Sequence, residues 1–470
     1  MVEIVILGRE GDSLFVDSRK KKGIRGLIKQ PVLSLLYSID TEHSEDPFLV
    51  PIPDTKRSKK KKEPFAPSNC TYMATSSRRL VASTPWFTAI TAGGRNCSRR
   101  TGALAMRPQQ NSYSTTTTTS TSSPKFSYNI AASFIAKDRP YDPSTHVFHF
   151  NPYNRIQPPR NRKRSSRPDS GHDAFFVSRV NDSGAVAFGV ADGVGGWVDS
   201  GVDPADFSHG FCDYMAAAAY EHKGSTALTA RSLMQAGYDA VCNDKSLSAG
   251  GSTACVAVAS PDGVLDVANL GDSGFIQMRL NAVNTYSEPQ THAFNTPYQL
   301  SIVPPSVAAR MAAFGGTQLS DLPRDADVTH HNLRHGDILM FATDGVFDNL
   351  FHHDILRIVS RVMTSAKAWE VAKSGSVNVG SNLETIVKSP LETKLSHSVT
   401  LQSLLATELV LAAKRASVNT KMDGPFAKEV QKYYPHENWH GGKVDDICVV
   451  VAVVCEEPAA AASAPLKSKL

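Results

Sequence analysis

Four short apolar runs that read as β-strands each meet an aspartate at one end: Asp192 in GVADGVGGW, Asp272 in ANLGDSG, Asp344 in LMFATDGVFD and Asp445 in GGKVDDICVVV. A strand fixes the backbone and the adjoining turn exposes the acid, while Gly193, Gly271 and Gly345 let the chain bend or approach an ion closely. Asp192 and Asp344 follow their strands and Asp445 precedes its own, so neighbouring strands running in opposite directions bring all three to one sheet edge. Acids gathered there repel one another, and cations relieve the repulsion. Hard oxygen ligands favour Mg²⁺, Mn²⁺ or Ca²⁺, and the scarcity of histidine beside these strands weighs against zinc.

The surrounding pattern predicts an antiparallel architecture. Ala174 to Val180 and Ala185 to Ala191 read as strands joined by the turn Asn181-Asp182-Ser183-Gly184. Helices are expected over Phe207 to His222, with Ser208 as a candidate cap, and over Ala227 to Asn243. Thr253–Ser260, Val264–Leu270 and Phe275–Leu280 then read as a meander, and Asp337–Thr343 as a further strand. Asp354 to Met363 and Leu401 to Ala416 are helical in pattern, Ile447–Val454 is a closing strand, and residues 366–400 read as an inserted loop. Strands and helices fall in blocks rather than strict alternation, which favours an α+β fold with helices packed outside antiparallel sheets.

Charge divides the chain. Residues 1–169 hold 28 Lys and Arg against 13 Asp and Glu, and the total of +5 leaves −10 for residues 170–470. Ser58-Lys59-Lys60-Lys61-Lys62 is a charge run, and Ser114 to Pro124 is nearly all Thr and Ser, too polar to repay the entropy of ordering. From Pro64 to Lys137 there is no acidic residue, and the arginines are spaced among Ser, Thr, Ala and Leu, as in a mitochondrial transit peptide. Met73 is therefore read as the start of translation. Residues 1–72 are then a disordered or spurious extension, 73–124 a transit peptide and Thr/Ser-rich linker, 125–169 a basic lead-in, 170–456 the folded domain and 457–470 a disordered tail. A mitochondrial, matrix location follows, with a cytoplasmic or nuclear one as the alternative if the extension is genuine. The longest apolar run, Ile447 to Cys455, falls short of the roughly 20 residues of a spanning helix. Seven cysteines without CxxC spacing argue against a disulfide framework or zinc knuckle, and Cys255, Cys448 and Cys455 read as core residues.

The segments GVADGVGGW, GGSTACVAVAS, ANLGDSG, FATDGVFDNL and GGKVDDICVVV, in this order, resemble the metal-dependent Ser/Thr protein phosphatases of the protein phosphatase 2C type over about residues 170–455. GVADGVGGW followed by Gly201-Val202-Asp203-Pro204, with the run from Phe294 to Ile302, resembles the mitochondrial branch of that family in fungi and animals. The resemblance implies an α/β/β/α sandwich of two antiparallel sheets flanked by helices, phosphoprotein substrates, and two Mg²⁺ or Mn²⁺ ions with a possible third. It implies that the Asp192 carboxylate bridges both ions, that the Gly193 carbonyl binds one, and that Asp344 and Asp445 bind the other. It assigns Asp173 a ligand role through water and links Asp272 and Asp348 to a looser third ion. Two such ions activate a water for in-line attack and offset phosphoryl charge, so no phosphoenzyme nucleophile is needed.

An aspartate before glycine at a strand end is ordinarily a turn residue bonded to its own backbone; the ordered context is what raises Asp192, Asp344 and Asp445 above that reading. Asp446 competes with Asp445, which the family pattern favours as the first acid before the last strand. The chain also departs from the family. Val194 stands where many members carry a histidine proposed as general acid, His172 replaces a common acid, and Ser273 is followed by Gly274 rather than arginine. Pro168 occupies a common phosphate-binding arginine position, leaving Lys137, Arg164 and Arg167 as substitutes. A scaffold or weak pseudophosphatase on the same fold is the alternative reading. A serine hydrolase at Ser273 lacks the G-x-S-x-G pattern and a partner histidine, and a nuclease is disfavoured because the domain's charge of −10 repels nucleic acid. Trp197 and the run from Phe294 to Ile302 read either as a substrate-facing surface or as buried packing.

Overall fold

The computed structural model describes residues 125–151, 167–224, 226–313, 320–391 and 399–457. In chain order the first elements are β1 (Lys125–Ile135), β2 (Val147–His149), β3 (Asp173–Arg179), β4 (Val186–Asp192), α1 (Pro204–Tyr220), α2 (Ala230–Asn243) and β5 (Gly250–Ser252). They are followed by β6 (Ala254–Ala259), β7 (Val264–Leu270), β8 (Gly274–Arg279), β9 (Ala282–Tyr286), β10 (Thr291–Ala293), β11 (Thr296–Pro297), β12 (Leu300–Ile302) and α3 (Pro305–Ala313). The last third adds β13 (Asp327–Asn332), β14 (Ile338–Ala342), α4 (Asp344–Phe347), α5 (His352–Ser365), β15 (Trp369–Val371) and β16 (Val377–Val379). It ends with α6 (Leu383–Lys388), α7 (Leu401–Ser417), α8 (Pro425–Tyr433) and β17 (Ile447–Glu457).

Two antiparallel sheets carry the architecture, in the orders β2-β1-β17-β14-β8-β9 and β13-β7-β6-β4-β3. Strand alternation sorts β17 between two cores. Val449, Val451 and Val453 face a cluster with Leu405 and Leu409 of α7 and Ile355 and Val359 of α5. Cys448, Val450 and Val454 face Phe188, Val190 and Val267 of the second sheet. A strand buried on both faces reads as a continuous apolar run, which explains the unbroken Ile447 to Cys455. The second sheet is covered by α1 and α2 through Phe207, Phe211, Met215 and Leu233. The order is helix, sheet, sheet, helix, the expected α+β sandwich. Cys255, Cys448 and Cys455 are core residues as expected, and no helix of the described residues is long and apolar enough to cross a membrane.

Several expectations are corrected. Residues 125–169 are not merely a lead-in: all eleven residues of β1 pair with β17, from Lys125 opposite Glu457 to Ile135 opposite Ile447, so the folded domain includes this strand rather than starting near Ser170. The three-strand meander is broken, because β6 and β7 pair in one sheet while β8 crosses to the other and pairs with β14 and β9. Helix α1 starts at Pro204, with the Asp203 carboxylate accepting from the Ala205 amide; Ser208 lies within it and donates to the His172 carbonyl. The stretch 366–400 is no simple loop. Trp369 is buried and donates its indole N–H to the Gly336 carbonyl at 3.0 Å, β15 pairs with β16, and α6 buries Leu383 and Val387. The expected segments 1–72, 73–124 and most of 457–470 lie outside the described residues.

Candidate active site

The sandwich brings the predicted acids together at one end, though from two sheets rather than one edge. Asp192 ends β4 and pairs across the ladder with Asp173, the first residue of β3. In the facing sheet, β14 runs between β8 and β17, with Ala342 opposite both Gly274 and Val449. Asp344 just after β14, Asp272 just before β8 and Asp445 just before β17 therefore meet at that same end. Asp192, Asp272, Asp344 and Asp445 line a cleft of about 330 Å³ together with Gly193 and Lys443.

The backbone beneath these acids is held tightly. The Asp192 amide donates to Thr253 Oγ1 at 3.2 Å, and its carbonyl accepts from the Thr253 amide and from Ser252 Oγ at 2.8 Å. Gly193 is required by crowding: a Cβ there would stand 2.7 Å from the Pro204 carbonyl oxygen. Gly345 is required likewise, since a Cβ would collide with the Asp446 carbonyl oxygen. Asp173 is buried, and its carboxylate accepts from Thr343 Oγ1 at 2.7 Å. Ser273 is buried too, bonded to Thr253 Oγ1 at 2.7 Å, which makes it a support rather than a nucleophile.

Asp445 and Asp446, adjacent in the segment that leads into β17, turn to different partners. Asp445 lines the cleft, whereas the Asp446 carboxylate accepts from the Lys137 and His172 amides, both at 2.8 Å. Of the three substitutes for the arginine missing at Pro168, Lys137 lines the cleft. Arg167 is engaged elsewhere, bonded to Asp206 of α1 at 2.6 Å, and Arg164 lies outside the described residues. His172 also lines the cleft. The run from Phe294 to Ile302 divides: Asn295 and Pro297 line the cleft, Leu300 is buried in the β12–β5 ladder, and Gln299 accepts from the Trp197 indole at 3.1 Å.

Sequence reasoning overlooked Lys443. Its ammonium donates to Asp344 at 2.7 Å and Asp348 at 2.6 Å and lies 3.2 Å from Asp445. Asn349 clamps its backbone, donating to the Lys443 carbonyl and accepting from its amide. The available signal was a single lysine two residues before an acid pair, which reads by itself as a solvated charge. Among the described residues the acids do not close on one another as a ready cage; the positive charge between three of them is this ammonium.

The electrostatics follow from crowding. Burial, and then Asp344, push Asp192 well above the usual carboxylate range; burial, and then Asp446, do the same to Asp173. Burial and Asp344 raise Asp348 and Asp445 as well, and push Asp272 up to about 7. Burial would also raise Asp344, but the Lys443 ammonium more than offsets it and holds Asp344 low. A carboxyl raised on folding binds its proton more tightly in the folded state. Its contribution to stability is present below the unfolded value and lost as pH rises through the folded one; for Asp272 that window runs from 3.8 to about 7. Asp344 acts in the opposite sense, but the raised acids outnumber it. In EDTA, the melting temperature is therefore expected to fall between about pH 4 and about pH 7, with Mn²⁺ flattening the decline. A melting temperature that is flat or rises over that range in EDTA contradicts this account.

The family profile described as protein phosphatase 2C matches residues 162–374. The Saccharomyces cerevisiae protein phosphatase 2C homolog 7, mitochondrial, is 31% identical over 348 residues, covering 73% of this chain and 87% of the yeast protein. The Homo sapiens protein phosphatase PTC7 homolog is 33% identical over 287 residues, covering 61% of this chain and 80% of the human one. Among solved structures, that of the photosystem II phosphatase PBCP aligns with 70% of this chain and 98% of its own, at 23% identity and a TM-score of 0.46.

Proposed function

Because this chain belongs to the protein phosphatase 2C family, we propose that it hydrolyses phosphoserine and phosphothreonine in proteins and depends on Mg²⁺ or Mn²⁺ to do so. One observation carries the reading: Asp192, Asp344 and Asp445, delivered by strands of two facing sheets, line a single cleft beside Gly193.

The residues fit a pair of divalent cations. Their donors are hard carboxylate and carbonyl oxygens, and Asp272 Oδ1 is buried without a hydrogen-bond partner. The Lys443 ammonium already sits among three of the acids, as positive charge there requires. Asp192, the Gly193 carbonyl, Asp344 and Asp445 would hold two ions, with Asp173 acting through water and Asp272 and Asp348 serving a third. Bound there, the ions supply a water acidic enough to ionise near neutral pH and offset charge on the phosphoryl oxygens. The rest falls to the chain. Ser252 and Thr253 fix the height of Asp192, Thr343 orients Asp173, and Lys137 offers the phosphate a cation at the rim. Cys212, Cys255 and Cys448 are buried, and burial pushes their thiols well up, so they serve as packing rather than as nucleophiles.

We place the protein in the mitochondrial matrix. The support is the acid-free, arginine-bearing stretch after Met73 together with the word mitochondrial in the yeast relative's name.

Purified residues 125–470, given a phosphothreonine peptide, are expected to release phosphate with Mn²⁺ or Mg²⁺ and to stop in EDTA. A second reading, a scaffold that binds phosphoproteins without turning them over, draws on the engagement of Arg167 by Asp206. Peptide binding with no phosphate release at any concentration of either metal would favour the scaffold and end the proposal.

A further inference from the structure

Exposed apolar side chains gather on one stretch of this protein. Val418, Met422, Tyr433, Tyr434, Trp439 and Val444 are 40 to 71% exposed, and all lie between α7 and β17. Three of them, Tyr433, Tyr434 and Trp439, belong to an aromatic cluster. Phe426 of α8 lies 5.5 Å from Trp439 and 5.5 Å from Phe294, and Phe294 lies 5.6 Å from Tyr433 and 5.4 Å from Tyr434. Phe294 comes from the turn between β10 and β11, so the cluster ties two remote segments together. Tyr433, Tyr434 and Trp439, joined through Phe294 and Phe426, form an apolar patch open to water, the mark of an interaction surface.

This patch is continuous with the cleft. The Lys443 ammonium is 2.7 Å from Asp344 and 5.0 Å from the centre of the Phe426 ring. Asn295, next to Phe294, lines the cleft, and so does Val444. Steps of 2.7, 5.0 and 5.5 Å thus lead from Asp344 through Lys443 and Phe426 to Trp439. An extended peptide covers such a path in about two to four residues at about 3.3 Å each. The charges of this stretch balance, with Lys421, Lys428 and Lys432 against Asp423, Glu429 and Glu437. Asp423 is itself occupied by Lys428, Gln431 and His440. Selection here therefore falls to apolar contact rather than to charge.

We propose that this rim docks the polypeptide flanking the phosphorylated residue, and that it selects substrates with an aromatic or large aliphatic side chain within about four residues of the phosphoserine or phosphothreonine. The proposal rests on the phosphatase reading above. Tyrosine and tryptophan suit the role because each presents a large, stiff apolar body at little entropic expense.

The test compares two phosphothreonine peptides that are identical except for leucine and tryptophan, or serine, at the flanking positions. The wild-type protein with Mn²⁺ should favour the apolar peptide in kcat/KM by about tenfold, the scale of losing one aromatic anchor. Tyr434→Ser combined with Trp439→Ser should erase that preference while leaving turnover of p-nitrophenyl phosphate, too small to reach the rim, unchanged. A wild-type protein that treats the peptides alike, or a preference that survives both substitutions, overturns the proposal. Failure of the phosphatase reading looks different, since neither peptide nor p-nitrophenyl phosphate would then be hydrolysed. Fluorescence anisotropy of the labelled peptides tests docking without turnover, and equal binding of the two overturns it. If the wild-type protein is a dimer that the substitutions dissociate, the rim buries a second copy and the proposal falls.

Discussion

Asp192→Ala is expected to lower Mn²⁺-supported turnover of a phosphothreonine peptide by about a thousandfold or more. A metal centre contributes several kcal/mol of transition-state stabilisation, and each 1.36 kcal/mol is a factor of about ten in rate. Asp192 occupies the middle of the site: it feels the charges of Asp344, Asp173, Asp445 and Asp272 together. Asp272→Ala should cost about tenfold, as for a residue outside the main ligand set. Because the polar contacts of Asp192 with Ser252 and Thr253 are made by its backbone, alanine leaves them in place. Removing a buried carboxyl that its neighbours repel should also raise the melting temperature in EDTA. Rates at saturating Mn²⁺ decide the matter; an Asp192→Ala protein as fast as wild type would end the assignment.

A chain cut to begin at residue 170 should fail to fold, whereas one beginning at Lys125 should melt cooperatively. Tyr128, Ile130, Phe134 and Ile135 of β1 are all buried. At about 1.5–3 kcal/mol each, their loss rivals the whole stability of a typical domain, about 5–15 kcal/mol. The cut also turns β17 into an edge strand lined with Val449, Val451 and Val453, a template for aggregation. Circular dichroism and size-exclusion chromatography of the two proteins are the measurement. A soluble, cooperatively melting chain from residue 170 would show that β1 is dispensable.

The acids could be read in the sequence because each sits at the junction of an apolar run and a polar turn, a boundary visible without any partner. What stayed hidden is what depends on partners. The β1 segment KFSYNIAASFI has small residues where its neighbours are bulky, and burial on both faces removes the alternation that announces a strand. The turn Gly271-Asp272-Ser273-Gly274 looks like a hairpin link, yet it carries the chain from one sheet to the other; nothing local distinguishes the two. Thr229 and Thr400, each three residues before a serine, form the capping boxes that start α2 and α7; α2 therefore begins at Ala230, three residues after the expected Ala227. The Asp203 cap of α1 was missed because Ser208 offered an equally good local signal. Lys443 gains its meaning from Asp344 and Asp348, which lie about a hundred residues away in the chain.

The Asp445-Asp446 doublet has a consequence for how such a site can change. Its two carboxyls are chemically identical, yet one opens on the cleft while the other pins the amides of Lys137 and His172. What distinguishes them is position: neighbours in the segment that leads into β17, they turn to different partners. Deleting either aspartate would leave one carboxyl for two duties, so the length of this segment matters as much as its composition. Drift can explore the identities of its neighbours, but only length-preserving steps keep both the cleft and its rim in place.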